Sequence, residues 1–198
     1  VSAPESKPDP RKPPRIVVYD KTVAAQAQLE TAITLWFNYG DPISIHALAA
    51  AANECFHAIG RNKGLPTIIQ TWKRSLTNKQ LKQANKVQNF AKHARTDPDG
   101  RVPVVTEYGD LLILDSVMCQ AKLFQLWTPL MRCFYTRFAL ENATLLGRFV
   151  PLATREYFRK AVEVYELGDG SRVDYLKQVL PTLRAQAGES EPLLEPPP

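Results

Sequence analysis

Cysteine and methionine are scarce in this sequence, with three and two residues. The thiols at Cys55, Cys119 and Cys133 stand far apart, each inside an apolar helical pattern with no His or Cys beside it in a metal-ligand spacing. That excludes a disulfide framework and a Cys-x-x-Cys motif, and the three read as small buried hydrophobes in a reducing compartment. A run of about 18 apolar residues is also missing, which excludes an apolar membrane-spanning helix. The first residues carry charge and proline rather than a short apolar core with a cleavage site. The expectation is a cytoplasmic chain, neither membrane-spanning nor secreted. No Gly-rich phosphate loop, Gly-x-Ser-x-Gly or His-Glu-x-x-His occurs, so the common enzyme templates find no anchor and no cofactor is expected. Internal repeats and heptad runs are absent as well.

Proline is not scarce, and its placement organises the rest. Nine of the 16 prolines fall in the first fifteen or last seven residues. There, Pro mixed with Ser, Glu, Lys and Arg buries too little apolar surface to offset chain entropy. Residues 1–18 and 188–198 are therefore expected to be disordered tails around a single helical domain over 19–187. The internal prolines, Pro42, Pro66, Pro98, Pro103, Pro129, Pro151 and Pro181, act as punctuation, because proline fits a helix's first turn or the gap between helices. Only Pro181 falls inside a helical pattern, where it marks a kink or the start of a last short helix.

Between these marks the apolar period is that of a helix. Leu29, Ala32, Ile33, Trp36 and Phe37 define one over 22–38, ended at Gly40. Asp41-Pro42 caps the next, which runs to about Gly60 and is apolar nearly all round, the pattern of a helix in the middle of a bundle. Further helices are expected at 66–75, 78–95, 107–124, 129–145, 152–167 and 172–186, with an extended piece at Val102 to Val105. Short connections imply antiparallel neighbours, so the fold class is all-α: an up-and-down helical bundle with additional C-terminal helices. Trp36, Trp72 and Trp127 occupy apolar helical positions and read as core or interface anchors.

Charge singles out one segment. Between Glu54 and Asp97 there is no acidic residue, whereas Arg61, Lys63, Lys73, Arg74, Lys79, Lys82, Lys86, Lys92 and Arg95 all lie there. Such a local excess attracts nucleic acid or nucleotide phosphate, although a plain solvated helix face has the same composition. At 100° per residue, Leu81, Ala84, Val87, Phe90, Ala91 and Ala94 face the bundle, and Lys79, Lys82, Lys86, Asn89 and His93 form the opposite stripe. His93, which titrates near neutrality, could act there as general base or simply cap the helix's last carbonyls. The RNA-binding candidates are Lys79, Lys82, Lys86, Lys92 and Arg95; the catalytic candidates are His93, Lys86 and Asn89.

The run Gln88-Asn89-Phe90-Ala91-Lys92-His93 resembles the signature of the HEPN superfamily, helical bundles whose motif joins an Arg, four to six residues and a His on one helix. The resemblance implies a homodimer with facing motifs, and either a metal-independent ribonuclease or an inactive nucleotide- or partner-binding module. Here Gln88 stands at the Arg position, and a neutral amide cannot stabilise phosphoryl charge as a cation would. A longer register puts Lys86 there, with charge but without the planar two-pronged donor, and with apolar Val87 following it. Inactivity is the expectation. The stretch from Leu29 to His46, with Lys92-His93-Ala94 ahead of Asp97-Pro98-Asp99, also resembles a set of uncharacterised bacterial proteins over about 20–145, a likeness that carries no activity.

The remaining ionisable candidates are weaker. His46 and His57 lie eleven residues apart on one helix, about 16 Å along its axis, too far to share one ion, so no metal site is expected. For His46, Glu54 and Asp110 are the partners considered, beside a hydrogen-bonded core role. Glu30 with Asp41, and Glu107 with Asp110, fall where caps and exposed faces ordinarily place acids. The alternatives to RNA binding are a non-enzymatic protein-interaction or oligomerisation domain and, less favoured, a DNA-binding helix-turn-helix at 66–95 that lacks base-reading side chains at its second helix start.

Overall fold

The computed structural model describes residues 17–64, 77–78, 82, 85–90, 99–142 and 170–188. The expected tails, apart from Val17, Val18 and Gly188, and the helices expected at 66–75 and 152–167, lie outside these residues. The described part is helical, with no strand: α1 Lys21–Phe37, α2 Pro42–Asn62, α3 Lys86–Phe90, α4 Thr106–Phe124, α5 Pro129–Glu141 and α6 Arg172–Ala187.

Helix starts follow from short polar side chains that satisfy the first free N–H groups. Asp20 Oδ1 accepts from the Val23 N–H at 2.8 Å, Asp41 Oδ2 from Ser44 at 2.7 Å, Thr128 Oγ1 from Met131 at 3.3 Å and Ser171 Oγ from Asp174 at 3.2 Å. Pro42 and Pro129 occupy the first turns of α2 and α5. Helix α5 ends at Glu141, four residues before the expected boundary, where Asn142 turns back and its side-chain amide donates to the Phe138 carbonyl at 3.1 Å. Pro181 neither breaks nor starts a helix, since α6 continues through it. The carbonyl it leaves without a donor belongs to Lys177, and Lys177 and Pro181 both lie on the exposed side of α6, where water can serve that carbonyl.

Helix α2 is the centre, packed between α1 and α4, with α3 also against it. Its buried face holds Ile45, His46, Ala49, Ala50, Ala52, Asn53, Phe56, His57 and Gly60, the alanines letting its neighbours come close. On α4, Gly109 meets Ile45 and the His46 backbone; a Cβ there would stand 3.6 Å from Ile45 Cγ2. The other half of the bundle is an aromatic seam where α5 and α6 pack on each other and on α1. Trp36 meets Phe37 and Phe134 edge-on at 5.0 and 4.8 Å, Phe37 stacks on Tyr175 at 6.3 Å, and Phe134 on Phe138 at 5.6 Å. Burying each such side chain contributes about 1.5–3 kcal/mol. Successive α4 and α5 touch little: the chain turns a corner at Gln125, which adopts φ 53° and ψ 31°, and α5 goes to α1 and α6 instead.

Candidate functional site

Of the residues expected to carry function, Lys82, Lys86 and Asn89 are described and all three are exposed. Val87 and Phe90 are half-buried, as the face assignment requires. His93, Lys79, Lys92 and Arg95 lie outside the described residues. The expected single helix over 78–95 is interrupted: Asn85 stands in a turn, and its carbonyl accepts the first bond of α3, from the Asn89 N–H at 3.1 Å. Asparagine is favoured at such a start because its short side chain can satisfy free N–H groups. Uniform helical rotation therefore does not carry from Lys82 to Asn89 across Asn85.

Gln88, at the position where the HEPN pattern has arginine, is half-buried, and its side-chain amide donates to the Glu54 carboxylate of α2. Residue 88 thus joins α3 to α2 and is turned toward packing, while Lys86 and Asn89 face outward.

A second polar group lies inside, between α2 and α4. His57 Nε2 donates to Asp115 Oδ2 at 2.7 Å, and Asn53 Nδ2 donates to the same oxygen at 2.9 Å and to Ser116 Oγ at 3.2 Å. Ser116 in turn donates to the Leu112 carbonyl at 2.8 Å. Cys119 stands one turn beyond Asp115, and burial, together with the Asp115 charge, pushes its thiol up to about 12. Burial likewise pushes Cys133 up to about 12. Neither thiol is activated as a nucleophile would be. Sequence reasoning tested His57 only against His46 and missed Asp115. The available signal was an acid in the middle of the apolar run from Leu111 to Val117, with Asn53 and His57 one turn apart on the facing helix. His46 is buried with its ring tilted against Tyr108 at 5.3 Å.

The third group joins four helices. Arg172, the first residue of α6, lays its guanidinium 3.7 Å over the Trp36 ring and donates to Glu141 at 2.7 Å through Nη2 and 3.1 Å through Nε. Its Nη2 is 4.0 Å from Asp110 Oδ2, and its backbone N–H donates to the Tyr39 hydroxyl at 3.1 Å. Burial raises Asp110 to about 6 against the opposing pull of Arg172 and Trp36, with Glu141 and Glu107 adding to the rise. Burial would also raise Glu141, but hydrogen bonds from Arg172 and Arg137 outweigh it and hold that carboxyl below its ordinary range. Asp41 is lowered by its bonds to Ser44 at the α2 cap. Asp110 and Glu141 are tied to Arg172, and Asp41 caps α2.

No protein family, curated protein or solved structure matches the chain. Among the described residues no helix is long and apolar enough to cross a membrane.

Proposed function

We propose that the chain is a non-catalytic helical module that binds RNA, or a nucleotide through its phosphates, along the basic segment 78–95. The observation that carries this reading is the division of labour around α3: Gln88 is held by Glu54, while Lys82, Lys86 and Asn89 are exposed. Exposed lysines on a segment without acids offer point charges for phosphate contacts. With an amide, already bonded, in the arginine's place, position 88 offers no planar cation of the kind that phosphoryl transfer at an RNA 2′-hydroxyl calls for.

The test is fluorescence anisotropy of a labelled single-stranded RNA with the full chain and with Lys82→Gln/Lys86→Gln. Both positions are exposed, so the fold persists, and affinity should fall at least several-fold. Unchanged binding sinks the reading. His93→Ala should leave the RNA uncut, as the parent chain does; cleavage by the parent that His93→Ala abolishes would make the protein a nuclease instead.

A second reading, an interaction or oligomerisation domain, is favoured by the exposed apolar stretch of Val17, Val18, Tyr19 and Val23, of which Val18 is 90% exposed. Sedimentation of the full chain separates the two, since a monomer that still binds RNA supports the first alone.

A further inference from the structure

The interior cluster between α2 and α4 gathers a nitrogen, an oxygen and a sulfur donor at a place that RNA binding does not use. A ring nitrogen of His57, a carboxylate oxygen of Asp115 and the Cys119 Sγ lie within 4.8 Å of one another, on three buried residues. The two helices supply them in matching register: Asn53 and His57 are one turn apart on α2, Asp115 and Cys119 one turn apart on α4. A mixed imidazole, carboxylate and thiolate set suits zinc and its first-row neighbours, whereas calcium and magnesium favour oxygen ligands alone.

We propose that His57, Asp115 and Cys119 form a binding site for a divalent transition-metal ion of the zinc class, clamping α2 to α4. Donors about 2.0–2.3 Å from such an ion stand roughly 3–4 Å apart at tetrahedral angles. The 2.7 Å contact of His57 with Asp115 opens slightly on metal uptake, and Cys119 closes in. His57 moves its ring proton to Nδ1, and Cys119 releases its thiol proton to solvent, so carboxylate and thiolate together balance the charge of the ion. Asn53 donates to the Asp115 carboxylate and is itself bonded to Ser116, the arrangement by which outer partners orient a metal-binding carboxylate. The His57 side chain is 11% exposed, so the cluster reaches the surface at that ring, and a tetrahedral ion held by these three residues takes a water as its fourth ligand.

The experiment is a cobalt(II) titration of the full chain after treatment with chelator. The expected result is one ion per chain, a thiolate-to-cobalt charge-transfer band in the near ultraviolet, displacement by zinc, and a raised unfolding temperature with zinc present. Cys119→Ala, a small helix-compatible replacement, should abolish the band while circular dichroism stays helical. Asn53→Ala should weaken binding about 10–100-fold with the band retained. A parent chain that gives no band overturns the proposal without recourse to any variant. A band that survives Cys119→Ala overturns it too, because the thiolate would then be Cys55 or Cys133.

Discussion

Replacing Arg172 by Met keeps an unbranched side chain over Trp36 and removes the guanidinium that ties α6 to α1, α4 and α5. The lost terms are a charge-assisted pair of bonds to Glu141, whose side chain is 24% exposed, about 1.5–3 kcal/mol, and a cation–π contact of about 1–2 kcal/mol. These overlap, so a cost of about 3 kcal/mol at pH 8 is expected. The cost depends on pH. Asp110 has a folded pKa of about 6, raised from 3.8, so the stability linked to its proton is present below its ordinary pKa and is lost as pH rises through about 6. Arg172 opposes that rise, and without it ionised Asp110 is costlier still at pH 8. Glu141 has the opposite sign: its depressed pKa contributes stability above the ordinary carboxyl range that is lost on acidification, and Arg172 supplies part of that depression. The Asp110 term makes the substitution milder at pH 5, where that carboxyl is mostly protonated, while the Glu141 term is still in place there because pH 5 lies above its ordinary 4.5. Urea unfolding followed by tryptophan fluorescence at pH 8 and pH 5 measures it, with a midpoint drop of roughly 1.5 M at pH 8 for a typical urea slope. A cost below about 1 kcal/mol at pH 8, or one equal at both pH values, would refute the account of this junction.

His57→Leu takes the histidine partner from the buried Asp115 carboxylate and should cost about 3–5 kcal/mol, while His57→Leu with Asp115→Leu should cost less than that single change; chemical denaturation of both variants decides it. Gln125→Gly relieves a left-handed non-glycine corner and should gain roughly 0.5–1 kcal/mol, whereas Gly64→Ala, at φ 67°, should lose about 1 kcal/mol; calorimetric melting would show both signs. Gln88→Arg should pair with Glu54 and leave a labelled RNA intact on a denaturing gel, and strand scission would show that the missing arginine alone had silenced a nuclease.

The helix boundaries were legible where a cap or proline states them locally, as at Asp41-Pro42, Thr128-Pro129 and Ser171-Arg172. Helix α2 was legible as the central element because alanine and aliphatic residues surround it. Asn85 was not read as an interruption, since the apolar period runs on through it and only its tendency to start a helix marks the turn. The corner at Gln125 was hidden for a similar reason, glutamine being no usual left-handed residue, with its side chain bonded locally to the Lys122 carbonyl at 3.2 Å. Polar partners across helices were the least legible of all. The meeting of His57 with Asp115, of Gln88 with Glu54, and of Arg172 with Glu141 and Asp110 depends on how helices distant in sequence pack, and spacing along one helix does not encode that.

The salt dependence of RNA binding tests the central claim most directly. A module that neutralises backbone phosphates with lysines loses affinity linearly in log–log form, by about 0.7 per phosphate for a single strand. The parent chain should show a slope steeper than about −1.4, the share of Lys82 and Lys86 alone. Lys82→Gln/Lys86→Gln should flatten that slope by about 1.4 while circular dichroism stays unchanged. No binding by the parent, or an identical slope in both proteins, would contradict the assignment of the RNA surface to this segment.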